Sequence, residues 1–139
     1  MLRGLTTITY FADDVAAAGR WYADLLDVEP YFVRPEQGDP AYLEFRIGDY
    51  RHELGILDRR YAPRSGAGAA GAGVVAYWAV DDVAAALQRL LGAGATVHQE
   101  AIERGPGFVT ASVVDPFGNV LGVMLNQHYL DVLAERAGE

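Results

Sequence analysis

The sequence predicts an α+β fold, a single domain of 139 residues made of two β-α-β-β-β modules. Two observations support this prediction. The hexapeptide DDVAAA occurs at 13–18 and again at 81–86, and Leu54-Gly55-Ile56 is matched by Leu121-Gly122-Val123. Repeats at both ends of a segment indicate that the whole segment is duplicated. The predicted parts are a first module at 5–58, a Gly/Ala-rich linker at 59–73, a second module at 74–126 and a C-terminal helical tail at 127–139.

The first module begins with LTTITYF at 5–11, whose β-branched and aromatic residues favour a strand. Asp13 or Asp14 is suited to cap a helix, and 15–26 is rich in strong helix formers. The run YFVRP is extended, and strands are predicted at 41–47 and 50–57. Gly48-Asp49 between these strands predicts a two-residue hairpin turn.

The second module repeats this order. A strand at 74–80 precedes a capped helix at 81–91, which Gly92 and Gly94 end. Strands at 95–101 and 108–114 follow, and DPFG at 115–118 is a turn with proline at its second position. The segment 119–125 closes the module, and 127–138 predicts a short terminal helix.

The segment between the modules contains GAGAAG at 66–71, which matches the dinucleotide-binding pattern G-x-G-x-x-G. That pattern functions after a strand and at the start of a helix, where helix amides meet a pyrophosphate. Here it precedes a predicted strand. We therefore interpret it as a flexible linker between the modules.

Composition narrows the function classes. The net charge of −8 argues against binding to nucleic acid or to an anionic membrane, and it permits a cationic ligand. No run approaches the roughly 18 apolar residues of a membrane span, and the N-terminal residues lack the apolar core of a secretory signal. The absence of cysteine excludes disulfides and fits a cytoplasmic protein.

The paired modules and the closing stretch VVDPFGNVLGVM at 113–124 resemble the vicinal oxygen chelate superfamily, the glyoxalase, bleomycin-resistance and extradiol-dioxygenase group. The resemblance covers about residues 5–126. It implies two curved mixed sheets that enclose a ligand cavity, commonly completed in a homodimer. It also implies a small-molecule ligand.

Metal-dependent members of this superfamily place ligands in the first and last strand of each module. The corresponding positions here are Thr7, Val75, Gly55 and Gly122. Valine and glycine side chains carry no donor atom, and a lone threonine hydroxyl is a weak metal ligand. The resemblance therefore implies the metal-free branch, with no metal site and no cofactor.

Strand alternation predicts which residues line the cavity. The predicted ligand-binding residues are those whose side chains point away from the helix-facing side of each strand. They are Thr7, Thr9, Phe11, Tyr42, Glu44, Arg46, Glu53, Gly55 and Leu57 in the first module, and Val75, Tyr77, Phe108, Thr110, Ser112, Gly122 and Met124 in the second. Aromatic walls with a few hydroxyls and carboxylates suit a flat or amphipathic organic molecule. The alternative is that Phe11 and Tyr77 only fill a core.

A two-residue turn would place Glu44 opposite Glu53 and Arg46 opposite Arg51. One interpretation is a solvated face whose diagonal Glu–Arg pairs balance the charge. The other is a partly buried Glu44/Glu53 pair, in which one carboxyl has a raised pKa. Such a pair would bind an amine or serve as the catalytic acid–base group.

Four functions remain open from the sequence. The first is a metal-free binding protein for a small aromatic or cationic compound, as in antibiotic sequestration. The second is a metal-independent isomerase or cyclase that uses Glu44 or Glu53 as its base. A metal-dependent lyase or dioxygenase is the third, and a non-catalytic interaction module is the fourth. The three histidines, His52, His98 and His128, show no spacing of a joint metal site, although His98 can border the cavity.

Overall fold

The computed structural model describes residues 1, 3, 5–62 and 75–139, and the chain divides into two compact units, Met1–Gly68 and Ala69–Glu139. Each unit contains a four-stranded mixed sheet with the element order β-α-β-β-β, which confirms the predicted α+β class. Of the predicted linker the structure describes only 59–62, where Arg59–Tyr61 form a single 3-10 turn. The GAGAAG segment lies outside the described residues.

The first unit contains four strands and one helix. The sheet order is β1-β4-β3-β2, with β1 parallel to β4 and the other neighbours antiparallel. The element bounds are β1 Thr7–Ala12, α1 Val15–Leu26, β2 Phe32–Arg34, β3 Tyr42–Ile47 and β4 His52–Asp58.

The core of the first unit lies between α1 and one face of this sheet. Tyr22, Phe45, Leu54 and Ile56 are almost completely buried there, and each such side chain contributes about 1.5–3 kcal/mol to folding. Gly19 allows close contact, because a Cβ at this position would stand only 2.6 Å from Cδ2 of Leu43. One face of the sheet is therefore used for packing, and the opposite face carries the polar side chains.

The second unit repeats this arrangement with the sheet order β5-β8-β7-β6, and β5 is parallel to β8. In its core, Val83, Leu87 and Leu90 of the helix pack against apolar residues of the two central strands. Among the described residues, no helix is long and apolar enough to cross a bilayer. The element bounds are β5 Ala76–Ala79, α2 Val83–Gly92, β6 Thr96–Gly105, β7 Phe108–Val114, β8 Val120–Asn126 and α3 Gln127–Ala137.

The duplicated hexapeptide forms the same strand-to-helix junction in both units. Asp14 Oδ1 accepts a hydrogen bond from the Ala17 amide at 2.9 Å, and Asp82 Oδ1 accepts one from the Ala85 amide at 3.0 Å. Both aspartates have extended backbone and cap their helices. The second aspartate of each DDVAAA is therefore the helix cap.

The predicted two-residue turn between β3 and β4 is wrong. Ile47 pairs with His52, so the loop has four residues, 48–51, with positive φ at Gly48 and Arg51. Glu44 consequently lies opposite Gly55, and Arg46 lies opposite Glu53. The predicted pairs Glu44–Glu53 and Arg46–Arg51 do not form. Because the register moves by an even number of residues, the face assigned to each side chain is unchanged.

Candidate functional site

The nine predicted positions of the first unit lie on the sheet face opposite α1, which we call the first polar face. The register arranges them in three rows across β1, β4 and β3. The rows are Thr7–Glu53–Arg46, Thr9–Gly55–Glu44 and Phe11–Leu57–Tyr42. Burial alternates along β3, where Leu43, Phe45 and Ile47 are buried and the residues between them are not. The predicted alternation thus brings these positions together.

The two carboxylates of this face have different partners. Glu44 accepts hydrogen bonds from two phenols: the Tyr42 hydroxyl donates to Oε1 at 2.6 Å, and the Tyr31 hydroxyl donates to Oε2. Glu53 Oε2 accepts from the Thr7 hydroxyl at 2.7 Å, and its Oε1 lies 3.7 Å from Nη2 of Arg46. Among the described residues, the hydrogen-bond donors to Glu44 are therefore neutral, whereas Glu53 lies next to the cationic Arg46.

The surroundings of Glu44 and Tyr42 also shift the pKa values of these two groups. Burial, and next the negative charge of Glu53, raise the pKa of the Glu44 carboxyl, and Arg46 opposes them. Burial and Glu53 also raise the pKa of the Tyr42 phenol. Tyr42 consequently stays protonated as a donor at neutral pH, and Glu44 accepts a proton more readily than an ordinary surface carboxylate does.

Two arginine side chains of the protein lie over aromatic rings beside the first polar face. The Arg46 guanidinium carbon is 4.8 Å from the centroid of Tyr31, and that of Arg34 is 4.0 Å from the centroid of Phe32. Phe32 meets Tyr42 edge-on at 6.2 Å. The half-exposed Tyr31 ring remains accessible. This edge of the sheet therefore accommodates cations against aromatic surfaces.

Sequence reasoning missed Tyr31, Phe32 and Arg34 as members of this cluster. β2 has only three residues, so no alternation can be read from it, and Tyr31 precedes the strand. The pairing of Phe32 with Glu44 is what brings them together. The one available signal was the aromatic pair Tyr31-Phe32 next to a predicted extended run.

At the mid-strand glycines Gly55 and Gly122, the protein's own tyrosines approach the backbone closely. A Cβ on Gly55 would stand 2.6 Å from the Tyr42 hydroxyl oxygen. A Cβ on Gly122 would stand 2.6 Å from Cδ1 of Tyr77 and 2.9 Å from the carbonyl oxygen of Ala76. Each glycine therefore makes room for a tyrosine that lies across the sheet.

In the second unit, the predicted positions of β5, β7 and β8 share the sheet face opposite α2, which we call the second polar face. Tyr77 pairs with Gly122, Gly122 with Ser112, and Met124 with Thr110. Two side chains of β6 cover its hydroxyls. His98 Nδ1 lies 2.8 Å from the Ser112 hydroxyl, and Arg104 Nε donates to the Thr110 hydroxyl at 3.1 Å. Phe108 lies at the end of β7 against His128, and Val75 directly precedes β5.

The residues present do not fit the metal site that the fold family implies. Thr7 donates its hydroxyl to Glu53, Val75 has no donor atom, and both glycine positions are covered by a tyrosine ring. Within the described part of the chain, no group of three or more His, Asp or Glu side chains could hold a metal ion. No step is therefore assigned to a metal here.

A cleft of about 440 Å³ in the first unit lies away from the first polar face, at the start of α1. Its lining is acidic and includes Asp14 and Asp58. These carboxylates already have structural roles: Asp14 caps α1, and Asp58 caps the 3-10 turn and forms an ion pair with Arg60 at 3.1 Å. The first polar face is the better candidate site, because its functional groups converge on one surface.

Comparison with known proteins agrees with this architecture. The family model described as Glyoxalase/Bleomycin resistance protein/Dioxygenase superfamily matches residues 4–123. A comparison with curated proteins gave no match.

Solved structures with the same fold share little sequence with this chain. TioX from Micromonospora sp. ML1 is 16% identical with a TM-score of 0.64, covering 87% of this chain and 97% of that one. A glyoxalase-related enzyme from Fulvimarina pelagi is 20% identical with a TM-score of 0.66, covering 91% and 90%. Lactoylglutathione lyase from Agrobacterium tumefaciens is 20% identical with a TM-score of 0.65, covering 93% and 98%. With the family model matching most of its length, the chain belongs to the Glyoxalase/Bleomycin resistance protein/Dioxygenase superfamily.

Proposed function

We propose that this chain is a metal-independent member of its superfamily that binds a small aromatic or cationic organic molecule on the first polar face, as in antibiotic sequestration. The observation that carries the proposal is Glu44, held by Tyr31 and Tyr42 and bordered by aromatic rings. The proposal includes a cytoplasmic homodimer, as the sequence predicts, which does not bind nucleic acid.

The protein's own arginine supports a cationic ligand. Arg46 lies over the Tyr31 ring and also approaches the Glu53 carboxylate. A guanidinium on an aromatic face beside a carboxylate is the arrangement that an organic ammonium or amidinium group would adopt. The hydrogen-bond partners of Glu44 are neutral phenols, so a ligand cation placed next to it would add to the positive charge that Arg46 already supplies.

A second function, metal-independent isomerisation or cyclisation, is favoured by one observation. The pKa of Glu44 is raised, and a carboxylate with a raised pKa is a stronger general base than an ordinary one. Turnover of a bound compound distinguishes this enzyme from a binding protein. A metal-dependent lyase or dioxygenase has no supporting donor set at the family positions.

Calorimetric titration with three flat probes of similar shape tests the proposal: 9-aminoacridine as the cation, acridine as the neutral ring and 9-anthracenecarboxylate as the anion. We expect the cation to bind most tightly. Glu44→Gln should weaken its binding by roughly 10–100-fold, since hydrogen bonds to a charged group contribute about 1.5–3 kcal/mol. Glu135→Gln, on the exposed surface of α3, removes the same charge and serves as the control.

Two outcomes would contradict the proposal: tighter binding of the anion, or equal affinity of the Glu44→Gln variant and the parent protein for 9-aminoacridine. Metal independence is tested separately. The dialysed protein should contain no stoichiometric metal, and Zn²⁺, Mn²⁺, Ni²⁺ and Fe²⁺ should leave its melting temperature unchanged. Light scattering after gel filtration tests the homodimer.

A further inference from the structure

Two exposed basic side chains of β6 lie over two buried hydroxyls of β7 in the second unit. Ser112 is 1% exposed and Thr110 is 8% exposed, whereas His98 and Arg104 are exposed. His98 contacts the first hydroxyl at 2.8 Å, and Arg104 contacts the second at 3.1 Å. Because Thr110 and Ser112 alternate along one strand, both contacts lie on the second polar face.

Within the described residues, most of the hydrogen-bonding capacity of Arg104 is unused. Its Nε donates to Thr110, which leaves the N–H groups of both Nη atoms. Among the described residues, no carboxylate forms an ion pair with Arg104. By contrast, Arg34, Arg46, Arg59 and Arg60 each have a carboxylate partner.

The neighbouring acidic residue does not neutralise this arginine. Glu103 pairs with Val109, so its side chain projects from the sheet face that carries α2. Arg104 instead reaches Thr110 on the opposite face. In a chain with 19 acidic and 11 basic residues, the guanidinium is thus held on a face where no described residue is its anionic partner.

Thr110 supplies a further free donor. Its hydroxyl oxygen accepts the bond from Arg104, and its own proton has no acceptor within the described residues. A buried hydroxyl donor without an acceptor is uncommon in folded proteins, because it loses its hydrogen bonds to water. Arg104 Nε lies 3.1 Å from the Thr110 hydroxyl oxygen, so an acceptor group beside this hydroxyl can also reach an N–H of the same guanidinium.

We propose that Arg104 and Thr110 form a binding site for a small oxyanion group, a carboxylate or a phosphate, on the second polar face. The Nη atoms of the planar guanidinium donate to one oxygen of such a group, and the Thr110 hydroxyl donates to another. The bond from Nε to Thr110 orients the guanidinium before the ligand arrives, which lowers the entropic cost of binding. His98, over the adjacent Ser112, is the next polar group that the rest of an anionic ligand would meet.

Titration of the whole chain with phosphate and, separately, with acetate tests this site, with chloride at equal ionic strength as the reference. The readout for the parent protein is the chemical shift of arginine Nε–Hε resonances in ¹⁵N NMR spectra, and calorimetric titration compares the affinities of the parent protein and the variants. We expect the Arg104 resonance to shift in a saturable manner with at least one of the two oxyanions. The stronger of the two identifies the ligand class.

Three variants and one control sharpen the test. Arg104→Gln should weaken oxyanion binding by roughly tenfold or more, and Thr110→Val by roughly 2–10-fold. Arg104→Lys should weaken it by an intermediate amount, because lysine keeps the positive charge but lacks the several N–H groups of a planar guanidinium. Arg20→Gln, which removes an exposed arginine of α1, should bind as the parent protein does. The Arg104 and Arg20 variants should retain the binding of 9-aminoacridine, so this proposal and the proposed function can fail separately.

The proposal is overturned if neither oxyanion shifts the Arg104 resonance beyond the chloride reference. Equal weakening by Arg20→Gln and Arg104→Gln would also overturn it, because the effect would then reflect net charge alone. Unchanged binding in both Arg104→Gln and Arg104→Lys would exclude the guanidinium as the ligand-binding group.

Discussion

The hydroxyl oxygen of Tyr42 stands 2.6 Å from the point that a Cβ on Gly55 would occupy. The same hydroxyl donates to Glu44, the register partner of Gly55. The missing side chain at position 55 therefore permits the phenol–carboxylate contact at the centre of the first polar face. Gly122 has the corresponding relationship with Tyr77 in the second unit.

Gly55→Ala should destabilise the protein by about 1–3 kcal/mol, because the new methyl group forces the Tyr42 ring aside. The displaced phenol then loses its hydrogen bond to Glu44. Urea denaturation measures the change in the free energy of unfolding. In a Tyr42→Ala background the same glycine substitution should cost much less, since the clashing ring is gone. An equal cost in both backgrounds would contradict this account.

Gly122→Ala should cost more than Gly55→Ala. Its Cβ would meet the Tyr77 ring and also the backbone carbonyl oxygen of Ala76 at 2.9 Å. A side chain can rotate away, whereas a strand carbonyl cannot move without disturbing the sheet. Urea denaturation of Gly122→Ala in a Tyr77→Ala background should therefore retain much of the destabilisation. Full rescue by Tyr77→Ala would show that the carbonyl contact is unimportant.

The stability of the protein should depend on Glu44 in a pH-dependent way. The folded-state pKa of Glu44 is raised above its ordinary value of 4.5. The stabilising contribution of protonated Glu44 is thus fully present below pH 4.5 and is lost as the pH rises through the folded-state pKa. Unfolding free energies measured from pH 4 to pH 7 should fall for the parent protein relative to Glu44→Gln, whose side chain does not titrate.

Glu53 provides a control for this pH dependence. Its negative charge is the second cause of the raised Glu44 pKa. Glu53→Gln should therefore move the fall in unfolding free energy towards lower pH. The rise in the Glu44 pKa that remains in this variant should reflect burial. The unfolding free energy of the parent protein minus that of Glu44→Gln should fall with pH. A value that stays constant or rises with pH would contradict a raised pKa for Glu44.

The two helix caps should contribute similar amounts to stability. Asp14→Ala and Asp82→Ala each remove a carboxylate that accepts from a first-turn amide, at 2.9 and 3.0 Å, and each should cost about 0.5–2 kcal/mol. Asp13→Ala is the matched control, because Asp13 only forms an exposed ion pair with Arg59 at 3.4 Å, which should contribute about 0–1 kcal/mol. If chemical denaturation shows a larger loss of stability for Asp13→Ala than for Asp14→Ala, the assignment of Asp14 as the cap is refuted.

Much of the fold was predictable because its signals are local. The repeated DDVAAA specifies a cap followed by helix-forming residues, and the predicted helix at 15–26 coincides with the observed Val15–Leu26. Alternation along β3 separates Leu43, Phe45 and Ile47 from the polar residues between them. Both patterns depend only on backbone periodicity, which the amino-acid sequence expresses directly.

The partners within the candidate site were not predictable in the same way. The pairing of Glu44 with Gly55 depends on a four-residue loop in which Arg51 has positive φ, an arrangement that Gly48-Asp49 alone does not indicate. Tyr31 reaches Glu44 only because the short β2 pairs with β3. These contacts join residues far apart along the chain or outside regular strands, so no periodic pattern records them.

The sequence by itself thus determined the two modules, the starts of their helices and the face on which the residues of the longer alternating strands, such as β3 and β4, lie. Tertiary structure decided which residues face each other across the strands. The sheet face of a side chain follows from the two-residue period of a strand, and a register shift of an even number of residues leaves it unchanged. The residue opposite it on the next strand depends instead on the geometry of the connecting loop and on the space that one side chain leaves for another. Gly55 shows this division: its position was evident from the repeat, but only the packing of Tyr42 revealed what fills the space above it.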